Sequence, residues 1–276
     1  MLRPEVKSRL EPFLNSVARA SEALLLLDYD GTLAPFKLRR DQAYPYPGVV
    51  ILLQEIVRSC RTRLVVISGR EATEVSPLLN LHPRPEVWGS HGLQRLRTNG
   101  NTEMHSLDVQ TLDGLSDADR WLTYQQLRHA AEFKTGGVAV HWRGLSETEV
   151  EDLRSRVLLG WRPIAERNGL DLLEFDGGVE IRARYANKGD AVRMVLDEIS
   201  PDSPVAYLGD DATDESAFQA IEGRGISVLV RPEWRQTAAH YWLRPPAELL
   251  DFLDLWRKTC LEQYSRDTKA AATSNL

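Results

Sequence analysis

Two acidic clusters, far apart along the chain, are built to share one reaction. Asp28-Tyr29-Asp30-Gly31-Thr32 follows directly on the apolar run Ala23-Leu24-Leu25-Leu26-Leu27. Gly209-Asp210-Asp211-Ala212-Thr213-Asp214-Glu215 follows in the same way on Val205-Ala206-Tyr207-Leu208. Carboxylates at i and i+2 crowd like charge, a cost that a cation or a shared proton relieves. Either cluster alone has a bland explanation: Asp-Gly commonly ends a strand in a turn, and a solvated loop or helix start tolerates acidic residues. Two acidic strand ends together suit a hard cation with oxygen ligands. Mg²⁺ is the common choice when phosphate completes the shell.

Donor and positive groups accompany them. Val65-Val66-Ile67-Ser68-Gly69-Arg70 is another strand end, whose hydroxyl and backbone N–H groups can hold a phosphoryl oxygen. A simple helix N-cap at Ser68 is the competing explanation. Lys188, in Asn187-Lys188-Gly189-Asp190, opens a helical stretch, where a lone Lys usually faces solvent. Three further pairs stand at i and i+2: Glu132 with Lys134, His141 with Arg143, and Glu180 with Arg182. On strands each pair points to one face, offering carboxylates and cations to a ring of hydroxyls or merely forming a solvated sheet face.

The elements that position these residues alternate. Strand-like runs at 23–27, 64–67, 205–208 and 226–230 lie among helical stretches near 48–60, 71–79, 188–199 and 214–221. An opening helix carries Val6, Leu10, Phe13, Leu14 and Val17 at helical spacing. This alternation predicts an α/β fold with a doubly wound parallel sheet, in which ligands bind outside the carboxyl ends of the strands. The middle third differs. Asn99-Gly100 is a hairpin turn between segments 93–97 and 102–106. Helices near 116–131 and 146–168 then mix with strands near 132–133, 138–142, 172–175 and 179–182. An α+β domain over 106–183, inserted into a core of 1–105 and 184–276, is the expected organisation.

Composition narrows the function classes. The 276 residues are 42% hydrophobic and 27% charged, which excludes a collagenous or wholly disordered chain. A net charge of −6 and a pI near 5.6 argue against nucleic acid or anionic membranes as partners. No apolar run is long enough to span a bilayer, and Pro4, Pro12 and interspersed charges make residues 1–19 unlike a signal-peptide core. Cys60 and Cys260 show neither CxxC spacing nor disulfide-scaffold density, so a reducing compartment is the simpler reading. With no targeting signal visible, cytoplasm is the default address, and a monomer is the working expectation. Residues 265–276 are small and polar enough to fray. His82, His105, His129 and His240 show no ligand spacing, and His91 is expected to order its loop.

The order DxDGT, strand-terminal Ser, Lys, then GDDxxD resembles the haloacid dehalogenase (HAD) superfamily. The insertion between the Ser and Lys motifs resembles its C2B-capped branch, a Rossmann-like core carrying an α+β cap. Within that branch the chain is similar to the trehalose-6-phosphate phosphatase family. The similarity is carried by Asp28–Leu33 with Ala34-Pro35, Ser68-Gly69-Arg70, Gly89-Ser90-His91-Gly92, Glu132-Phe133-Lys134, His141-Trp142-Arg143, Glu180-Ile181-Arg182, Lys188-Gly189 and Gly209–Glu215.

The resemblance implies a phosphatase. Asp28 is then the nucleophile that becomes an aspartyl-phosphate, and Asp30 protonates the leaving sugar oxygen before activating water. Mg²⁺ is implied to bind the Asp28 carboxylate, the Asp30 carbonyl and Asp210, with Asp211 and Asp214 ordering the shell. Ser68 and Lys188 are implied to hold phosphoryl oxygens. Glu132, Lys134 and Glu180 match positions that bind distal glucose hydroxyls, and Arg70, Gly92, His141, Arg143 and Arg182 complete the implied substrate set. Asp30 also discriminates within the superfamily, because P-type ATPases carry Thr there and dehalogenases lack the acid. The implied partner is a small sugar phosphate, trehalose 6-phosphate first. Sucrose phosphate, a glucosyl- or mannosyl-phosphoglycerate, or phosphomannomutase chemistry are alternatives. A non-catalytic regulator is the other class, disfavoured by the intact Asp28, Asp30, Asp210 and Lys188. Trp142 replaces the family's usual Tyr, and Asp190 stands where a small residue is common.

Overall fold

The protein is described by a computed structural model covering residues 2–37, 39–59, 61–175, 177–185 and 187–273; Cys60 lies outside the described residues. Ala23–Leu27 (β1), Thr62–Ile67 (β2), Glu86–Gly89 (β3), Val205–Gly209 (β10), Gly225–Val230 (β11) and Tyr241–Leu243 (β12) pair in parallel. Gln94–Leu96 (β4) and Thr102–Met104 (β5) extend the sheet antiparallel through the Asn99-Gly100 turn. The order is β12-β11-β10-β1-β2-β3-β4-β5. The continuous apolar runs have a simple cause: helices cover both faces. Leu25 and Leu27 of β1 pack with Pro4–Arg19 (α1), Val49–Ser59 (α2), Ala72–Leu79 (α3) and Ala247–Thr273 (α8). Leu24 and Leu26 pack on the opposite side with Lys188–Leu196 (α6) and Glu215–Ala220 (α7).

A second sheet is antiparallel, in the order β6-β7-β9-β8, from Ala131–Lys134 (β6), Gly137–His141 (β7), Leu170–Phe175 (β8) and Gly178–Ala183 (β9). Val138, Val140, Val179 and Ile181 face Val109–Tyr124 (α4) and Glu147–Asn168 (α5), around buried Trp161. The period of two therefore sends Glu132, Lys134, Ala139, His141, Glu180 and Arg182 to the other face. In the register Glu132↔Ala139↔Glu180, the small β7 residue leaves space between two carboxylates.

Several expected boundaries move. The helix expected at 116–131 is α4, which starts at Val109 because the Asp108 carboxylate caps Thr111 N–H at 2.7 Å. It ends at Tyr124, and Gln126 then adopts φ 58°. The 146–168 helix stands where expected, with Ser146 and Glu149 forming a capping box. Strands β3 and β12 and helix α8 were not anticipated. β3 is short and buries a charge: Glu86 bonds Arg63 and Arg95 at 2.8 Å each and Trp88 Nε1 at 2.7 Å. The expectation that 265–276 frays is corrected over its first part, since α8 continues to Thr273 through the helix-favouring Ala270-Ala271-Ala272. Among the described residues no helix is long and apolar enough to cross a membrane.

Candidate active site

The strand order β10-β1-β2 brings three chain segments to one carboxyl edge, where the sheet's order of connection reverses. Asp28 ends β1, Ser68 ends β2 and Asp210 ends β10. Carboxylate oxygens of Asp28, Asp210 and Asp214 lie within 4.8 Å of one another, all three residues buried. Such a cluster of like charge requires compensation, and part of it is Lys188. This lysine is buried at the start of α6, not solvent-facing, and donates to Asp28 Oδ1 at 2.6 Å and Asp214 Oδ1 at 2.7 Å. Burial alone would lower the Lys188 pKa, but Asp214 and Asp28 outweigh it and hold the ammonium charged. Thr32 Oγ1 donates to Asp28 Oδ2 at 2.9 Å, fixing the carboxylate's second oxygen.

Asp214 is fully satisfied. Its Oδ1 also accepts from Tyr207 O–H at 2.6 Å, and its Oδ2 accepts the N–H groups of Asp210 and Asp211 at 3.0 Å each. Burial would raise its pKa, yet Lys188 and these donors hold it below the usual range. It organises the loop rather than offering lone pairs. Asp210 is the opposite case: no hydrogen bond to its carboxylate appears among the described residues. Burial, then Asp28 and Asp214, push its pKa well above the carboxylate range. Burial, reinforced by Asp214 and opposed by Lys188, pushes Asp28 up to about 7. An all-oxygen set of crowded carboxylates that Lys188 compensates only in part fits a hard divalent ion. Asp28 and Asp210 could hold it directly, beside Asp211, which is half-buried and lines the same cleft.

Gly31 closes over this site. At φ 85°, an added Cβ would stand 2.0 Å from Asp210 Oδ2. Gly31→Ala is therefore expected to destabilise the fold by about 2 kcal/mol or more and to weaken whatever hold the site has on a divalent ion such as Mg²⁺. Thermal melts with and without Mg²⁺ would show both.

The remaining predicted residues fall in distinct places. Ser68 is not a helix cap, because α3 begins at Ala72; its Oγ accepts the Arg70 N–H at 3.1 Å. Arg70, expected on the substrate, lines the cleft and also grips Asp30: Nε and Nη2 each reach a different carboxylate oxygen at 2.6 Å. Gly92 faces Ala191 and the Asn187 carbonyl on α6, and does not line the cleft. Glu132, Lys134, His141, Arg143 and Glu180 do line it, opposite Asp28, Asp30, Lys188 and Asp210. They are not a solvated face.

Within the cleft, Lys134 Nζ spans to Glu180 Oε1 at 3.0 Å, and His141 Nε2 meets Glu132 Oε2 at 2.8 Å. Burial would raise Glu180, but Lys134 helps hold it well below the carboxylate range. Burial, with Lys134 and Arg40 nearby, lowers His141 to about 4. Arg182 is buried beside Glu180, its Nη1 3.8 Å from Oε2. Several participants escaped sequence reasoning. Arg40 pairs with Glu132, and Phe36 lies under Arg143 at 4.1 Å. Neither carries a local signal, because each acts on a residue roughly a hundred positions away. Tyr207 had one: a hydroxyl inside an apolar buried strand needs a partner.

A parallel sheet with DxDGT and GDDxxD loops on adjacent strands, and a second sheet facing them, defines the HAD-like hydrolase class. A haloacid dehalogenase-like hydrolase from B. subtilis shares the fold at TM-score 0.59 and 15% identity, over 84% of this chain and 98% of that one. Residues 26–245 match the family described as Trehalose-phosphatase, and the chain belongs to that family. The trehalose-phosphate phosphatase of Mycobacterium marinum (strain ATCC BAA-535 / M) is 31% identical over 247 residues, covering 83% of this chain and 60% of that one. The chain thus spans well under two thirds of that relative's length. A solved structure of a trehalose-6-phosphate phosphatase related protein aligns at TM-score 0.66 and 25% identity, over 87% of this chain and 100% of that one.

Proposed function

We propose that the chain is a Mg²⁺-dependent phosphatase that hydrolyses trehalose 6-phosphate to trehalose and phosphate through an aspartyl-phosphate. The observation that carries this reading is the convergence of Asp28, Asp210 and Lys188 under a cleft whose other wall bears Glu132, Lys134 and Glu180. Residues 1–105 and 184–276 form the core in this reading, and 106–183 form the cap. Its acidity and few cysteines suit a reducing, cytoplasmic setting.

Asp28 attacks phosphorus; the P–O bond to the sugar breaks and its electron pair leaves with the sugar oxygen. Asp30, presented at the cleft and oriented by Arg70, gives that oxygen a proton. It later accepts one from the water that attacks the phospho-enzyme. Lys188 balances charge on the transferring group throughout, and Ser68 holds an equatorial oxygen. Asp28, the Asp30 carbonyl and Asp210, with Asp211 and Asp214 around them, would hold the Mg²⁺ ion, whose charge would offset that of the phosphate against the nucleophile. Glu132, Lys134 and Glu180 accept and donate to glucose hydroxyls, with His141, Arg143 and Arg182 as supports.

Phosphate release from trehalose 6-phosphate, sucrose 6-phosphate, glucose 6-phosphate and p-nitrophenyl phosphate tests the reading. The first is expected to be turned over best; a preference for another member of the panel overturns the substrate. Glu132→Ala removes charge-assisted hydrogen bonds worth about 1.5–3 kcal/mol, so KM for the disaccharide should rise about 10- to 100-fold. p-Nitrophenyl phosphate, which has no sugar, should be nearly unaffected. Equal losses on both substrates would remove the cap from substrate choice.

A further inference from the structure

His91 lies between the two walls of the cleft, and phosphoryl transfer assigns it no step. It sits in a turn between β3 and β4 where Ser90 and His91 both adopt positive φ, 49° and 54°. Non-glycine residues occupy this region at a cost of about 1–2 kcal/mol each. The turn is fastened to the Ser68 loop at two points: Ser90 N–H donates to Arg70 O at 2.7 Å, and His91 N–H donates to Ser68 O at 2.9 Å. The Cε1–Nε2 edge of the imidazole packs against Gly69, where an added Cβ would stand 2.7 Å from Nε2. The same Nε2 lies 3.1 Å from Glu180 Oε2 on the other wall.

Packing alone does not account for this arrangement. Neither imidazole nitrogen makes an aligned hydrogen bond, and Ser90 Oγ and two guanidinium nitrogens of Arg182 are also buried without one among the described residues. An apolar side chain would fill the same space without that desolvation cost. Strain and unsatisfied polarity persist where the surroundings enforce them, and such places cluster at functional sites. Lys134 already holds Glu180 Oε1, which leaves Oε2 to be aimed by its second neighbour.

We propose that His91 is a positioning residue that aims the Glu180 carboxylate at a sugar hydroxyl and ties that carboxylate to the Ser68–Arg70 loop. The inference rests on the sugar-phosphate reading above. It names a core residue as a determinant of sugar selectivity exercised from below the cap. Burial holds the ring's pKa down to about 4, so at neutral pH it acts through shape and the 3.1 Å approach of Nε2 to Glu180 Oε2, not through charge.

His91→Leu and His91→Gln separate positioning from packing, because both carry the same backbone burden. Leu fills the space; Gln places an N–H where Nε2 stands. Kinetics on trehalose 6-phosphate should show KM raised about tenfold in His91→Leu, the equivalent of about 1.4 kcal/mol, with kcat little changed. His91→Gln should recover most of the loss, and p-nitrophenyl phosphate should be hydrolysed by both within about twofold of wild type. Leu performing as well as Gln, or equal losses on both substrates, would overturn the proposal. If wild-type protein turns over another sugar phosphate of the panel best, that substrate takes the same test. A wild type that prefers no sugar phosphate over the generic ester would overturn the functional reading and this inference with it.

Discussion

Asp28→Asn is expected to lower phosphate release by about 10³-fold or more, since an amide neither attacks phosphorus nor carries the ion's charge. The fold should survive. Asn keeps an oxygen for Thr32 Oγ1, which donates at 2.9 Å in the native chain, and Lys188 keeps Asp214 as its partner at 2.7 Å. Neutralising Asp28 also removes the burial cost, and the lesser repulsion from Asp214, that push its native pKa up to about 7. Circular dichroism and a thermal melt of the variant should match wild type or exceed it. Turnover above about one per cent of wild type in such a folded variant would dismiss Asp28 as the nucleophile and, with it, the aspartyl-phosphate route.

Asp210→Asn should separate metal binding from folding. Asp210 is buried with no hydrogen bond to its carboxylate among the described residues, and burial with Asp28 and Asp214 raises its pKa well above the ordinary value. A bound divalent ion removes that penalty, so Mg²⁺ should stabilise the wild type. At about 100 times Kd the gain is about 2.7 kcal/mol, or roughly 5 °C in melting temperature for a chain of this size. In Asp210→Asn the metal-free melt should equal or surpass wild type, while the Mg²⁺ increment and the activity largely vanish. An unchanged Mg²⁺ response would place the ion elsewhere. A variant that melts far lower without metal would mean that Asp210 holds the fold by contacts its carboxylate does not show.

How much of this was legible beforehand differs by residue. β1 and β10 announced themselves, because a strand covered on both faces must be apolar throughout and any acid at its end is conspicuous. β3 did not, since Glu86 is buried by ionic partners on β2 and β4 that no window of the chain contains. The start of α4 turned on one capping bond from Asp108, a feature outweighed in pattern reading by apolar spacing further along. Among site residues, Lys188 read as solvent-facing by type, yet it is buried between two carboxylates supplied by β1 and the loop after β10. Arg70 lay in a recognised motif, and its grip on Asp30 could not be foreseen because the two are 40 residues apart.

The letters alone determined the kind of chemistry: which residue types stand at strand ends, their spacing, and the alternation that makes a layered sheet. Those properties are local, set by side-chain period and burial. Tertiary structure decided which of these residues meet. Strand order placed Asp28 beside Asp210, and the second sheet's pleat turned Glu180 toward His91. Charge compensation, desolvation and aim depend on distances through space, and those distances exist only once the chain has closed on itself.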